Sequence, residues 1–334
     1  MRTKVLIGLM GIALLLACIA PCHVKAVVKS GDTYTFRLGC MTPADYPFNK
    51  ASRWFKQEIE KESKGRIKLE IFDGGVLGNE AEMWAGALTG NVDIFVSSPG
   101  NISTYVPAYQ YMDGPYFIKG FKHFANIVKS GALDGIDKLC EEKGIVVLGQ
   151  MGGGRRVMLS KQRFDTLDSI KGIKMRVWPA KIVVRTWEAL GTTTTLVSYA
   201  ERYQALQTGL IVALEGEISN FLTEKLYEPT KYLILTDHCF GVRPLLIGKK
   251  QLSMLPKDLM DMMIRVGKRA GEVGVEIQWK DDEEATKTLN QKFGIEVVEL
   301  KDKEKWVKAT EVVREEFRKQ FNLDKLFRDI KAAE

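Results

Sequence analysis

Apolar positions along the first third of the chain change spacing in a regular order. Residues 34–39 and 67–72 alternate between apolar and polar side chains, which predicts two strands. Residues 51–59 and 80–89 instead carry apolar side chains three and four positions apart, and 92–96 is a short apolar run typical of a buried strand. The resulting order of strand, helix, strand, helix, strand favours parallel pairing and predicts an α/β fold.

A glycine triplet, residues 152–154, interrupts this pattern after an apolar strand predicted at 144–148. Because glycine has a wide conformational range, we expect a flexible crossover between two domains at the triplet. The length of 334 residues agrees with two domains of roughly 150 residues each. Beyond the triplet the alternation resumes, with strands predicted at 157–160, 173–178 and 193–197 and helices at 180–190 and 200–208.

Local signals delimit the helices of the second part. Ser198 and Glu201 have the spacing of a capping box, and Gly209 supplies a stop, so the helix at 200–208 is predicted to be closed at both ends. The C-terminal segment predicts three more helices, interrupted by a short strand at 295–298. These helices are expected at 255–275, 275–292 and 303–320.

The first 26 residues have the composition of a secretory signal peptide, with a basic start, an uncharged apolar run and small residues before position 27. Cys18 follows Leu-Leu-Ala, as in a lipoprotein signal, so lipidation of Cys18 is the alternative to cleavage after Ala26. Removing residues 1–26 takes away three basic residues and no acid, and lowers the formal net charge from +7 to +4. Since these charges are interleaved with acids, we expect no nucleic-acid partner.

Three of the five cysteines lie beyond the predicted leader: Cys40, Cys140 and Cys239. Their wide spacing offers no CxxC pair and no metal-ligand interval with histidine. We interpret them as buried free thiols. One oxidised pair is the alternative in an exported protein.

Known catalytic patterns are missing from the sequence. It contains neither HExxH nor GxSxG, and residues 73–78 lack the first glycine of a dinucleotide-binding loop because Asp73 occupies that position. Glu215 and Glu217 are two positions apart, but no nucleophile or metal ligand accompanies them. We therefore predict a protein that is not an enzyme and that holds neither a metal nor a cofactor.

Arginines occur where a predicted strand is expected to be covered. Arg176 lies within the strand at 173–178, and an inner strand of a parallel sheet is buried on both faces, so its guanidinium must lie at the strand end or meet an anion. Ligands bind at the strand ends of such sheets, and arginine holds a carboxylate or sulfonate through two parallel hydrogen bonds. Arg155 and Arg156 follow the glycine triplet, so one of them is expected to face the same cleft. Internal pairing with Glu or Asp is the alternative.

Several segments, in this order, make the chain similar to a known family. The sequence resembles the extracytoplasmic solute-binding proteins of tripartite ATP-independent periplasmic (TRAP) transporters, the DctP-type family, through nearly all of residues 27–334. The segments that carry the resemblance are 77–83, 90–93, 113–117, 170–177 and 203–209. The last two, Ile-Lys-Gly-Ile-Lys-Met-Arg-Val and Tyr-Gln-Ala-Leu-Gln-Thr-Gly, are the most specific.

The resemblance implies roles for individual residues. The signature arginine of the family falls on Arg176 and implies a salt bridge to the carboxylate of the ligand. A second arginine of the family falls on Arg156, a stacking aromatic residue on Tyr199 and a polar pocket position on Ser98. Glu215 also matches the family pattern.

One position departs from that pattern. Where many members have Asp-Gly-Gln-Glu-Asn-Pro, this chain has residues 212–217, so Gly216 replaces an asparagine that contacts the ligand. We therefore do not transfer sialic acid or simple dicarboxylate specificity. Trp178, Tyr199 and Phe240 suggest a pocket with aromatic walls, with a core role as the alternative for each. A small sulfonate or an aromatic acid is then as compatible with the pocket as a dicarboxylate.

The resemblance also implies the architecture, a two-lobed periplasmic binding protein whose two βα domains are joined by crossover strands and a long spanning helix. We expect residues 27–153 plus 241–281 to form lobe I and residues 154–240 plus 282–334 to form lobe II. The expected function is capture of a small organic anion in the periplasm by a monomer and its delivery to the TRAP membrane permease subunits. A ligand-sensing partner of a membrane receptor and a periplasmic enzyme remain the alternatives.

Overall fold

The computed structural model describes residues 27–334, so the predicted leader and its alternative at Cys18 lie outside the described residues. The strands are β1 Val28–Ser30, β2 Thr33–Gly39, β3 Ile67–Phe72, β4 Ile94–Val96, β5 Ile145–Ser160, β6 Lys174–Val177, β7 Thr193–Leu196, β8 Ala213–Glu217, β9 Tyr232–Gly248 and β10 Glu296–Val298.

The α-helices alternate with these strands, and short 3₁₀ helices occupy Pro107–Asp113 and Asp168–Ile170. They are α1 Pro47–Glu62, α2 Glu80–Thr89, α3 Pro99–Ile102, α4 Phe121–Ser130, α5 Asp134–Glu142, α6 Lys181–Ala189, α7 Arg202–Thr208, α8 Ile218–Thr223, α9 Lys249–Ser253, α10 Lys257–Gln291, α11 Lys303–Gln320 and α12 Asp324–Ala332.

The sheet consists of two parallel groups joined by long antiparallel strands. Its order is β1-β2-β4-β9-β5-β8-β6-β7, with β3 added to β2 and β10 added to β9. Strand β2 pairs in parallel with β3 and β4, and β6 pairs in parallel with β7 and β8, as the βα pattern predicts. The two groups meet through β5 and β9, which run antiparallel to each other.

The glycine triplet lies inside β5, which corrects the prediction of a flexible crossover between two separate strands. Residues 145–160 form one continuous strand, and its register against β9 shifts between Gly152 and Gly154. A Cβ on Gly153 would lie 2.9 Å from the carbonyl carbon of Gly241, so the glycines let the two strands approach each other where they cross.

Helix α10 is a single helix of 35 residues, so the predicted break near residue 275 is wrong. At 1.5 Å per residue it is about 50 Å long, and it packs along β5 and against α1, α4 and α8. Gly267, Gly271 and Gly274 place its backbone against β5. A Cβ on Gly267, for example, would lie 2.9 Å from the carbonyl oxygen of Leu148. The two-lobed architecture with crossover strands and a spanning helix is thus confirmed.

The predicted points of passage between the lobes fall within these long elements. Residue 153 lies in β5, residue 241 in β9 and residue 281 in α10. The exact lobe boundaries stay a prediction. Within residues 27–334, no helix combines the length and the apolar character needed to cross a membrane.

The capping-box prediction at residue 198 is wrong, because α7 begins at Arg202 and Glu201 is its N-terminal cap. The hydroxyl of Ser198 donates to the carboxylate of Glu201 and caps no backbone amide. Gly209 ends the helix in the left-handed conformation, as predicted, with φ of 77°. The three cysteines at 40, 140 and 239 are buried free thiols, which confirms that interpretation.

Candidate ligand-binding site

A cavity of about 460 Å³ lies between the two strand groups and brings together seven of the eight predicted site residues. Arg156, Arg176 and Glu215 contribute charged groups, and Ser98, Trp178, Tyr199 and Gly216 complete the set. Its other lining residues are Met41, Thr42, Tyr46, Phe48, Asn79, Glu80, Asn101, Pro179, Val197, Ser198, Arg202, Glu217, Asn220 and Arg243.

The two walls of the cavity come from different parts of the chain and touch each other. The first wall, from residues 41–101, presents Tyr46, and the second wall, from residues 176–220, presents Trp178. A Cβ on Gly100 of the first wall would lie 3.3 Å from the Trp178 ring. The Tyr46 hydroxyl donates to Glu217. These two contacts bring the sides of the cavity together and narrow its opening.

Arg176 extends from β6 and is only 5% exposed. Its Nε donates to the carbonyl oxygen of Val197 at 3.0 Å. Among residues 27–334, no carboxylate lies within the 4.0 Å that defines an ion pair with it. Burial and the neighbouring Arg202 outweigh the attraction of Glu215 and lower the pKa of Arg176 to about 10. A buried guanidinium without a protein counter-ion favours an anion from outside.

Arg156 has a different environment, because the structure pairs it with carboxylates of β8. Its Nε lies 2.8 Å from an oxygen of Glu215, and its Nη1 lies 3.2 Å from Glu217. Burial acts against these charges, but Arg156 and His238 lower the pKa of Glu215 to about 2. Internal pairing, the alternative left open by the sequence, is therefore what Arg156 and Glu215 adopt. Their predicted direct contact with a ligand stays a prediction.

Three polar residues that the sequence analysis did not assign to the ligand complete this network. Glu217 accepts hydrogen bonds from both Tyr46 and Arg243, and all three side chains are at least 90% buried. Arg243 lies in the middle of an otherwise apolar half of β9, which was the only signal for it in the sequence. Strand β5 supplies Arg156, β8 supplies Glu215 and Glu217, and β9 supplies Arg243, so the network forms the floor of the cavity.

A second buried arginine, Arg202, also escaped the sequence analysis. It is 4% exposed, its Nη1 donates to Asn220 at 2.6 Å, and its Nε donates to the carbonyl oxygen of Tyr199 at 2.9 Å. Its guanidinium carbon lies 3.6 Å from the centroid of the Tyr199 ring. Tyr199 therefore stacks on a protein cation with one face. In the sequence, Arg202 is a charged residue at the first position of α7. Because that position is normally open to solvent, nothing marked Arg202 as buried.

Ser98 holds the carboxylate of Glu80, which also belongs to the first wall, in place. Its amide and its hydroxyl both donate to Oε2 of Glu80, at 2.7 and 2.8 Å. Ser97 and Asn101 donate to the same oxygen at 2.8 and 2.9 Å. Because Asn79 and Glu82 form a capping box at the start of α2, Glu80 is fixed at the first turn of a well-defined helix.

Two predicted residues have surroundings that the sequence did not indicate. A Cβ on Gly216 would lie 2.9 Å from the ring of Phe221, so the space behind this glycine is filled. Phe240 does not line the cavity. It packs on Phe121 and Phe124, with ring centroids 5.0 and 5.1 Å away, beside a separate cavity on the other side of β9. Its assignment to the site is corrected because alternate residues of a strand face opposite ways.

Sequence and structure comparisons place the chain among solute-binding proteins. A model of the family described as bacterial extracellular solute-binding protein, family 7 (DctP), matches residues 38–320. A solute-binding protein of Sulfitobacter sp. (strain NAS-14.1) is 28% identical over 298 residues, which cover 89% of this chain and 90% of the relative.

Solved structures agree with this assignment. A TRAP periplasmic solute-binding protein from Sulfitobacter sp. NAS-14.1 with bound α-D-taluronate has 28% identity and a TM-score of 0.83, and the match covers 89% of this chain and 97% of that structure. Another from Pseudomonas putida F1, with bound D-glucuronate, has 26% identity, a TM-score of 0.83 and the same coverage. Such proteins bind solutes and are not enzymes. The chain therefore belongs to the DctP family of bacterial extracellular solute-binding proteins and is a TRAP-type extracytoplasmic solute-binding protein.

Proposed function

We propose that this protein captures a sugar acid in the periplasm, holds its carboxylate on Arg176 and delivers it to a TRAP membrane permease. The observation that carries the proposal is the buried guanidinium of Arg176, which lines the cavity and has no carboxylate partner among residues 27–334. A ligand carboxylate supplies the missing charge and accepts two parallel hydrogen bonds from arginine.

The choice of a sugar acid narrows the range of anions that the sequence left open. Relatives with bound taluronate and glucuronate share the fold along 89% of this chain. The cavity, at about 460 Å³, lies within the range of roughly 300–1,000 Å³ that is common for ligand sites. Polar groups such as Asn101 and Asn220 line it beside the aromatic rings, which suits a ligand with several hydroxyl groups.

Closure of the two walls explains how one ion pair gives strong binding. When the walls meet at Gly100 and Tyr46, water leaves the cavity, and the attraction between Arg176 and a carboxylate increases as the local dielectric constant falls. Desolvation of both charges opposes this gain, so the arginine must be held in place beforehand. The hydrogen bond from Arg176 to Val197 provides that orientation.

The binding step is tested by calorimetry with D-glucuronate and D-galacturonate. We expect Arg176→Gln to weaken binding by roughly 30-fold to several thousand-fold, the equivalent of about 2–5 kcal/mol. Arg176→Lys should also bind poorly, because lysine keeps the charge but loses the two parallel hydrogen bonds. Arg185→Gln, at an exposed arginine of α6, is the matched control and should bind normally. Normal binding by Arg176→Gln, or no binding of any sugar acid by the wild type, contradicts the proposal.

Delivery to a permease is tested separately. The genes adjacent to the one that encodes this protein should include TRAP permease subunits. Cells that express these subunits should accumulate radiolabelled sugar acid only when the binding protein is present. If a neighbouring receptor responds to the ligand and no uptake occurs, the sensing alternative replaces transport.

A further inference from the structure

The charged residues that line the cavity do not balance. Four arginines and three glutamates line it, which leaves one formal positive charge. Two of the arginines, Arg156 and Arg243, are paired with Glu215 and Glu217. The remaining groups are Arg176 and Arg202 on one wall and Glu80 on the other.

Arg176 and Arg202 attach to the same short loop. Arg176 donates to the carbonyl oxygen of Val197 and Arg202 to that of Tyr199, two residues further on. Consecutive Cα atoms are 3.8 Å apart, so the two anchoring residues are separated by less than about 8 Å. Neither guanidinium has a carboxylate within 4.0 Å among the described residues. Two buried like charges attached to one loop, without a protein counter-ion among the described residues, favour an anion beside them.

Glu80 gives the first wall a negative charge, whereas Arg176 and Arg202 give the second wall a positive one. Four donors from Ser97, Ser98 and Asn101 converge on its Oε2, and none of the hydrogen bonds described involves its Oε1. Among residues 27–334, no basic side chain forms an ion pair with Glu80. A carboxylate that lines a cavity accepts hydrogen bonds from hydroxyl groups and repels another carboxylate.

Resting on the proposed function, we infer that the cavity has two distinct ends and selects a polyhydroxylated acid with a single acidic group. Arg202 joins Arg176 in holding that group, and Glu80 accepts hydroxyls from the far end of the ligand. One carboxylate neutralises the one unbalanced charge of the closed cavity. A sugar diacid leaves a net negative charge and brings its second carboxylate towards Glu80.

The inference is tested with two ligands that differ in this second acid. D-Glucuronate also closes into a pyranose ring, which D-glucarate cannot do without an aldehyde, so the change in preference caused by Glu80→Gln isolates the effect of the acid. D-Glucarate is D-glucuronate with its aldehyde carbon oxidised to a carboxylate. By calorimetry, the wild type should bind D-glucuronate at least about tenfold more tightly than D-glucarate, since like charges brought together in an interface repel each other. Glu80→Gln should reduce this preference to less than about threefold by strengthening the binding of D-glucarate.

Glu82→Gln is the matched control for Glu80→Gln. It removes the same charge from the same first turn of α2, outside the cavity, so the preference should stay as in the wild type. Arg202→Gln should weaken D-glucuronate binding by at least about tenfold, and Arg202→Lys by less, because lysine keeps the charge. Thermal unfolding of each variant establishes that it is folded.

The outcomes separate this inference from the proposed function. If D-glucuronate binds through Arg176 but D-glucarate binds equally well, the selection for one acidic group is wrong and the proposed function stands. The same conclusion follows if a folded Arg202→Gln variant binds normally, or if Glu82→Gln changes the preference as much as Glu80→Gln. If the wild type binds neither ligand nor any other sugar acid, the proposed function itself fails.

Discussion

The floor of the cavity and its second wall each contain two buried arginines, yet the two regions are built differently. On the floor, Arg156 and Arg243 form ion pairs with Glu215 and Glu217. On the wall, Arg176 and Arg202 donate to backbone carbonyls, and Arg202 also donates to Asn220, but neither reaches a carboxylate within the part of the chain that the structure describes. Burial is similar, between 4% and 8% exposed, so burial does not separate the two pairs.

The difference indicates that charge balance, more than exposure, distinguishes the arginines that join the strands from those that we propose bind the ligand. The floor joins β5, β8 and β9 at the place where the chain passes between the strand groups, and its charges are satisfied within the protein. On the wall, Arg176 and Arg202 have no counter-ion among residues 27–334. Loss of a floor residue should therefore reduce stability, whereas loss of a wall residue should reduce binding.

The largest effect on stability is expected for Arg156→Ala. The change removes the cation that pairs with both Glu215 and Glu217 and leaves their buried negative charges less neutralised. Breaking a buried ion pair in this way costs about 3–5 kcal/mol of the free energy of unfolding. Urea unfolding without ligand measures the loss. Arg185→Ala, which removes an exposed arginine paired with Glu188, should cost less than about 1 kcal/mol. Equal stability of the two variants would show that the floor is not structural.

A smaller effect of opposite sign is expected for Arg176→Met. Methionine approximates the length of the arginine stem and removes an unpaired buried charge, so ligand-free protein should be at least as stable as the wild type and up to about 1–4 kcal/mol more stable. The same urea titration detects it. A loss of several kcal/mol would place Arg176 with the structural arginines and end the comparison.

The smallest effect concerns pH. In the folded protein the pKa of Glu215 is about 2, against 4.5 for an ordinary glutamate. A lowered pKa means that this carboxylate stabilises the fold fully above the unfolded value and that the contribution is lost as the pH falls through about 4 towards 2. Between pH 7 and pH 4 the loss should reach about 1 kcal/mol.

This pH dependence is measured directly by NMR. The carboxyl ¹³C resonance of Glu215, identified through Glu215→Gln, should stay unchanged from pH 7 to about pH 4. A resonance that titrates near 4.5 would mean that the floor pairing with Arg156 does not hold the carboxylate in its charged form.

Much of the fold could be predicted from the spacing of apolar residues alone. The period of apolar residues located β2, β3, α1 and α2, because these elements bury one face and expose another. The pattern failed at the glycine triplet and near residue 275. Glycine is a helix and strand breaker by local preference, but in β5 and α10 it is retained because strand and helix backbones touch there.

The binding site was predictable only in part. Arg176 was predicted because it is a charged residue in a strand that was expected to be buried. The family resemblance indicated Tyr199 and Ser98 as further candidate site residues. Arg202 and Glu80 were missed, since each is the first residue of its helix, a position that is normally open to solvent.

The sequence by itself determined the alternation of strands and helices, the family and the arginine most suited to an anion, because these depend on local spacing and on residue type. The tertiary structure decided which arginines have partners. Arg156 and Arg176 are both buried and both basic, and only the meeting of β5 with β8 gives Arg156 its two glutamates, while β6 gives Arg176 none. Distance between charges is a property of the folded chain, and that distance leaves Arg176 without a carboxylate partner among the described residues.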